Sequence, residues 1–567
     1  MKYLPNLSSQ QILFLMFVFF SVACNNNQKE KEIVTEPGKM DDVVQSKLKA
    51  ILSSITESKG KLDDSSSTIY SFASVKEFYK NNQYKVIWSS AESYTSFADS
   101  LFQFIEQSKF YGLFPEQYHL KQLTFIRDRF AADTLAQTDR RDAVLWTKTE
   151  LLLTDAFLTM AKHLHKGRLM PDSIYKKIDS VQGLSYYHSY LKTVLQGKSI
   201  TEVLNSLEPK HKGYQVLRKS INLFLDSAKF TPAYTYLPYP YKDSTAFIKK
   251  LVYRLKEEGV VSSQSNQLDS TQLKEAISKL QKQRNLTVDG KFGIQLVAAL
   301  NNTDPEKFIR IAINLDRYKL MPIEMPERYI WVNLPSYYLQ VMEHDTIQLE
   351  SKVVIGKPKT RTPLLNSTIS DLITYPQWTI PNSIIVKEIL PALKKNPGYL
   401  ARKGYMLLKW DGETVNPYAV NWKKYNKGIP FKVVQGSGDA NALGIMKFNF
   451  PNKYSVYLHD TNQRYLFNNE SRALSHGCVR VQEWEKLVWY ISSLDSVAAV
   501  TKNTTSLSSD SIRAWLERKE RHVIPVRSKL PVYFRYFTAS VKNGKLFFYN
   551  DIYGEDKTAR EAYFSNK

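Results

Sequence analysis

Two cysteines in 567 residues leave this chain almost no covalent means of holding itself together. Cys24 closes an apolar leader, and Cys478 sits in Ser475-His476-Gly477-Cys478-Val479-Arg480. Thiols placed so differently do not make a disulfide framework, so the folded state must rest on packed apolar cores. The side chains for that are present: 43% of residues are hydrophobic and 13% aromatic, which excludes a generally disordered chain. At this length one core is too few, and roughly two to four domains are expected. The simplest account of the two thiols is one attachment point and one nucleophile.

Lys2 provides a thin positive start, and the 12 residues from Ile12 to Ala23 carry no charge. That run is shorter than the ~20 apolar residues of a bilayer span and suits the core of a signal peptide. Ser21-Val22-Ala23-Cys24 resembles a bacterial lipoprotein processing site, with Ser21 where such sites usually have leucine. The expectation is a signal peptide over residues 1–24 and lipid on Cys24. The chain would then be exported, held at a membrane and facing the periplasm of the cell envelope. Cys478 would be left unpaired in an oxidising compartment, as a reactive thiol is. Lys and Arg exceed Asp and Glu by 78 − 55 = 23. Such a balance fits nucleic acid, an anionic membrane or an acidic polymer, and the absence of a long Lys/Arg block argues against nucleic acid.

The texture of the chain predicts a multidomain α+β protein. Residues 25–66 are polar and read as a tether. Residues 67–243 read as a helical domain, with apolar spacing such as Leu101, Phe104, Ile105 and Leu151 to Ala161; its histidines His119, His163 and His165 are scattered and read as structural. Residues 244–303 form a small helical unit with Leu273, Ile277 and Leu280 on one face, a turn at Asp289-Gly290, and a short helix carrying Ile294, Val297 and Leu300. Residues 304–505 read as one further domain, in which strands dominate from Glu327 onward, joined by helical pieces at Pro381–Lys395 and Gln482–Leu494. Tyr329–Leu334 and Tyr338–Met342 read as a hairpin, continued by Lys352–Gly356 and Phe431–Gln435, and Tyr454–His459 alternates like a half-buried strand. Residues 506–567 add strands at Val532–Phe537 and Lys545–Tyr549, packed on the same domain.

A free thiol near its ordinary pKa of ~8.5 is mostly protonated at neutral pH, so a nucleophilic Cys478 needs a base or positive surroundings. Arg480 and His476 each lie two residues away and, on an extended strand, share its face. His459 ends a strand 19 residues upstream, close enough in chain for a loop to bring its imidazole to the sulfur. Gly477 leaves the backbone uncrowded, so N–H groups there could meet an oxyanion. Each residue alone also has an ordinary structural reading: a buried inert thiol, a strand-end histidine, a surface arginine, a turn serine at Ser475. Their co-occurrence favours catalysis. Cys478 lacks the spaced Cys or His partners of a zinc site, so neither metal nor cofactor is expected.

Ser475-His476-Gly477-Cys478-Val479-Arg480 with His459 upstream resembles the signature of the L,D-transpeptidases, cell-wall enzymes with a catalytic cysteine. The resemblance extends to Pro381-Asn382-Ser383, Asn396-Pro397-Gly398-Tyr399, Asn441-Ala442-Leu443-Gly444, Asn449-Phe450-Pro451 and Tyr457-Leu458-His459-Asp460-Thr461. Together with residues 244–303, which resemble the small three-helix peptidoglycan-binding module, it points to the large subclass with a helical scaffold domain. The resemblance implies acyl transfer from a tetrapeptide stem of peptidoglycan: Cys478, activated by His459, forms a thioester and expels D-alanine, and a second stem's amine completes a 3→3 cross-link. It further implies oxyanion donors around Gly477 and Cys478, an orienting main-chain carbonyl at Asp460, a pocket organised by Arg480, and a cleft lined by Trp378 and Tyr457 beside Ser475 and His476. Stem-peptide carboxylates then become the acidic partner of this basic chain. Two rivals remain: an L,D-carboxypeptidase or other hydrolase on the same Cys-His site, and a non-catalytic wall-binding lipoprotein. A papain-like protease fits less well, because Cys478 follows its histidine and does not open a helix.

Overall fold

The computed structural model describes residues 31–54, 60–62, 67–91, 93–132, 139–170, 183–264, 267–501 and 508–564; the expected signal peptide and Cys24 lie outside them. The described residues fall into two compact units, one running to Gly167 and resuming up to Glu208, the other spanning Pro209 onward and including Arg168.

The first unit is helical. Its centre is the 23-residue helix Ala143–His165, started by Asp142, whose side chain accepts from Val144 N. A helix that is apolar on all sides must be surrounded, and this one is, by helices that include Phe72–Asn81, Ser96–Glu106 and Leu120–Ala132. Residues 40–54, expected as tether, instead form a 15-residue helix in this core. Met40, Val44, Leu48 and Leu52 recur every fourth residue and are buried, a stripe that the polar composition of the segment conceals. His119, His163 and His165 all bond within this unit, the first to Asp155 and the others to Tyr118 and Tyr187.

The second unit begins with helix Lys212–Ser227, so the first unit ends earlier than the expected boundary at 243. Tyr214, Leu217 and Ile221 give this helix an apolar face that is buried in the second unit. A three-helix module follows, Ser244–Glu257, Ser270–Gln283 and Ile294–Leu300, closed over Phe247, Leu251, Ile277, Leu280 and Val297. Asp269 and Gln272 form a capping box on its second helix. Gln281 locks the turn by accepting from Asp289 N and Gly290 N at 3.1 and 2.9 Å.

After helix Asp304–Lys319 come the strands β1 (Arg328–Asn333), β2 (Tyr338–Glu343), β3 (Thr346–Gly356), β4 (Leu365–Thr368), β5 (Asp371–Thr374), β6 (Trp378–Thr379) and β7 (Tyr405–Leu408). They continue with β8 (Lys432–Gln435), β9 (Met446–Asn449), β10 (Leu458–His459), β11 (Ala473–Ser475), β12 (Val479–Val481), β13 (Val523–Pro525) and β14 (Pro531–Arg535). The main sheet has 11 strands in the order β13-β5-β9-β10-β12-β3-β2-β1-β14-β4, with β11 beside β3. Its interior packs Ile330, Val341, Phe448, Leu458, Val479 and Phe534 against helix Trp484–Thr501. β13 and β14, from the expected C-terminal extension, are thus members of this sheet.

Two strand expectations are corrected. β8 does not continue the main sheet; it sits between β6 and β7 in a three-stranded sheet with its own core around Ile389, Leu393, Leu407 and Val433. The strand expected at Tyr454–His459 is only Leu458–His459, because Asn452 Oδ1 accepts from Tyr454 N and Val456 N and Ser455 takes a positive φ of 55°. The helical stretch 382–395 contains a π-helical turn at Ile385–Ile389, just ahead of Pro391, which has no N–H to donate.

Candidate active site

The site grows from one pair of parallel strands. β10 and β12 are in register at Leu458↔Val479 and His459↔Arg480, and Val479 N donates to Tyr457 O at 3.1 Å. Tyr457 therefore lies across from Cys478, and Tyr457, His459, Cys478 and Arg480 share a face of the sheet. β9 flanks β10 on the other side with Lys447 directly opposite His459. Three short strands thus gather a thiol, an imidazole, a phenol and two cations.

The turn before Cys478 is held from inside. Ser475 is buried; its hydroxyl donates to Cys478 O at 2.7 Å and accepts from Gly477 N at 3.2 Å. Thr362 Oγ1 donates to Gly477 O at 2.7 Å. Gly477 takes φ +124°, a conformation that side-chain-bearing residues rarely adopt. Ser475 is therefore engaged within the turn, and His476 points out to the Glu388 carboxylate of the π-helical segment. A cleft of about 420 Å³ opens beside the turn, lined by Arg361, Tyr454, Val456, His476, Gly477 and Tyr553.

His459 is 4% exposed and its Nδ1–H donates to the Asp460 carbonyl at 2.5 Å. A carbonyl only accepts, so this bond fixes the tautomer and leaves Nε2 with the lone pair. Burial first, then the charges of Arg480 and Lys447, hold the imidazole down to about 3, against the pull of the Asp460 and Leu443 carbonyls. His459 is thus neutral at ordinary pH. Asp460 itself is fixed by Arg464, 2.9 Å from its carboxylate, and by Ile445 N at 3.2 Å. Gly444, at φ +63°, leaves room for that carboxylate, since a Cβ there would lie 2.2 Å from Asp460 Oδ2.

Cys478 is half-buried, and its Sγ lies 4.0 Å from the Ser455 carbonyl. Burial pushes the thiol up, opposed by donors from Tyr457 and by the charges of Lys447 and Arg480. The resting pair is therefore a neutral thiol and a neutral imidazole. Arg480 Nη1 donates to Gln463 Oε1 at 2.8 Å and Thr461 Oγ1 at 3.3 Å, while its buried Nε has no partner among the described residues. Trp378, on β6 of the inserted sheet, lies beside Tyr457 and edge-on to Tyr405 at 6.3 Å. Lys447 carries no signal in the sequence beyond strand alternation; only sheet register brings it here. Among the described residues one group could hold a metal ion, Glu327, Glu343 and His344, but Arg328 already pairs with both carboxylates at 2.7 and 2.6 Å.

Residues 327–503 match the family model of the L,D-transpeptidase catalytic domain, and residues 73–221 that of the Scaffold domain. A curated protein of Haemophilus influenzae, "Putative L,D-transpeptidase", is 36% identical over 248 residues, covering 44% of this chain and 48% of that protein. The chain spans about half the length of that relative. Among solved structures, an L,D-transpeptidase from Mycobacterium smegmatis aligns over 37% of this chain and 58% of its own, at 12% identity and TM-score 0.17. The catalytic domain of an E. faecium L,D-transpeptidase acylated by ertapenem aligns over 37% and 99%, at 12% identity and TM-score 0.18. Superpositions that loose carry no weight for the site.

Proposed function

We propose that this chain, a member of the L,D-transpeptidase family with a scaffold domain ahead of its catalytic domain, cross-links peptidoglycan stem peptides through a thioester on Cys478. The supporting observation is the ladder that sets a free thiol across from Tyr457, beside a buried histidine whose Nδ1–H is tied to Asp460. The donor is a tetrapeptide stem ending in D-alanine. As Cys478 Sγ bonds to the carbonyl carbon before that alanine, the thiol proton passes to His459 Nε2. The tetrahedral species then collapses: the C–N bond breaks, the alanine amine takes the proton from His459, and a thioester remains. The side-chain amine of a second stem adds to the thioester and gives a proton to His459. Cys478 leaves, recovers that proton, and a 3→3 amide has formed.

Because Gly477 N–H serves Ser475, the oxyanion falls to the Cys478 N–H in this reading. In this reading Trp378 and Tyr457 flank the thiol on the substrate side, and burial with Arg480 returns the imidazole to its neutral form between proton transfers. The cell-envelope location belongs to the same proposal: export, lipid on Cys24, and a periplasm-facing catalytic domain at a membrane. Palmitate labelling lost in Cys24→Ser tests it.

The direct test is incubation of the protein with disaccharide-tetrapeptides and mass analysis of the products. A dimer lighter than two substrates by one D-alanine is expected. Tripeptide without dimer would replace transfer by hydrolysis, and unchanged substrate with active, folded protein would overturn both.

A further inference from the structure

We infer that Lys447 is a positioning residue of this site: its ammonium, held over the Tyr457 ring and across the ladder from His459, is the charge that supports Cys478 as its thiol gives up a proton. The inference rests on the thiol chemistry proposed above. β9 lies between β5 and β10, and the pairing Lys447↔His459 puts both side chains on one face. Lys447 Nζ stands 4.1 Å from the Tyr457 ring centroid, and the Tyr457 and His459 rings are 5.6 Å apart, edge to face. Since Tyr457 faces Cys478 across the β10–β12 ladder, the ammonium sits over the ring that neighbours the thiol.

The same lysine makes no ion pair among the described residues. The carboxylate with the strongest pull on it, Asp371, already accepts from Ser370 Oγ at 2.7 Å and Asn449 Nδ2 at 2.6 Å. A half-buried ammonium without a carboxylate partner is costly to keep, and burial holds it below the ordinary lysine range. Around it face Asp371, Arg521 and Cys478; around Cys478 face Tyr457, Lys447 and Arg480. Both Lys447 and Arg480 favour the thiolate of Cys478 and oppose a charged His459. Because His459 is neutral until it has taken the proton, it offers the nascent thiolate no positive charge beforehand, and Lys447 does.

The test is the pH dependence of iodoacetamide alkylation at Cys478, followed on the peptide that contains it, in the full chain with Lys447→Met, Lys447→Gln and Lys447→Arg. Both uncharged variants should move the alkylation midpoint up by about one pH unit, which is roughly tenfold less thiolate at a given pH. Lys447→Arg should stay near the wild-type midpoint. On stem peptides the uncharged variants should lose turnover in kcat rather than KM and regain part of it at alkaline pH. A midpoint unmoved in both uncharged variants overturns the inference, whether activity falls through packing or KM rises through a lost contact to a substrate carboxylate. Alkylation needs no stem peptide, so the two proposals separate: a moved midpoint in a protein that cross-links nothing spares Lys447 and sinks the transpeptidase reading, and the converse spares the reading alone.

Discussion

The centre of the first unit's long helix and the thiol face of the second unit's sheet treat buried polar groups in opposite ways. On the long helix of the first unit, Glu150 accepts from Tyr79 Oη, Ile87 N, Trp88 N and Ser89 Oγ at 2.8 to 3.2 Å. Asp155 one turn further accepts from Tyr70 N, Ser71 N and His119 Nε2 at 2.6 to 3.0 Å. Each of these donors is aimed at a fixed acceptor. On the thiol face of the second unit, among the described residues, Arg480 Nε is buried without a partner and Lys447 has no carboxylate, while the Cys478 thiol has the Ser455 carbonyl at 4.0 Å and Tyr457 beside it. Hydrogen-bonding capacity left open on one face of a sheet is what a substrate and a moving proton can use.

The sharpest way to break this contrast is Cys478→Ala, which should abolish acyl transfer while the melting temperature stays within about 2 °C; residual cross-linking by mass would contradict it. His459→Ala should lower turnover roughly 10²–10⁴-fold, measured in steady state, with secondary structure unchanged. Glu150→Ala should do the reverse. Stranding four donors costs about 3–5 kcal/mol in urea unfolding, yet activity per folded molecule should hold. Ser475→Ala removes the hydroxyl that ties Gly477 N to Cys478 O, and a loss of about 1 kcal/mol, or some fivefold in turnover, is expected.

The units should also answer pH with opposite signs. His459 is held down to about 3, so between roughly 6.5 and 3 the unfolded chain binds a proton that the folded one refuses. Its contribution therefore falls as pH falls through that window, by up to about 1.4 kcal/mol per unit. Burial holds Glu150 up at about 7, so the folded first unit keeps a proton that the unfolded chain releases, and stability falls as pH rises from about 4.5 to 7. Urea melts across this range on wild type, His459→Asn and Glu150→Gln should flatten one slope each. The activity profile should lack an acid limb near 6.5, and a limb there would mean that the imidazole titrates normally.

Much of the second unit was legible in the chain because its chemistry is local. The Ser475–Arg480 turn, the Tyr457–Asp460 strand end and the β1–β2 hairpin each carry their signal within a few residues, and the α+β, multidomain architecture follows from the change of texture at Glu327. What escaped depends on register or on accumulated spacing. Lys447 reads as one polar residue in Met446-Lys447-Phe448-Asn449 until β9 is set beside β10. The helix at 40–54 hides four buried residues in a polar stretch. Glu150 stands at the head of the apolar run Leu151-Leu152-Leu153, and nothing adjacent announces donors that come from 61 to 71 residues away. His476, two residues from Cys478, reads as sharing its face, but the positive φ at Gly477 turns it toward Glu388 instead.

The claim underneath all of this is that Cys478 carries the acyl group. Rapid acid quenching of wild-type protein with a tetrapeptide stem, followed by intact and peptide mass, reads it directly. The expected result is a transient gain of one tripeptide acyl group on the peptide that contains Cys478, absent in Cys478→Ala. Cross-linked product formed with no adduct at any time, or an adduct on another residue, would contradict it.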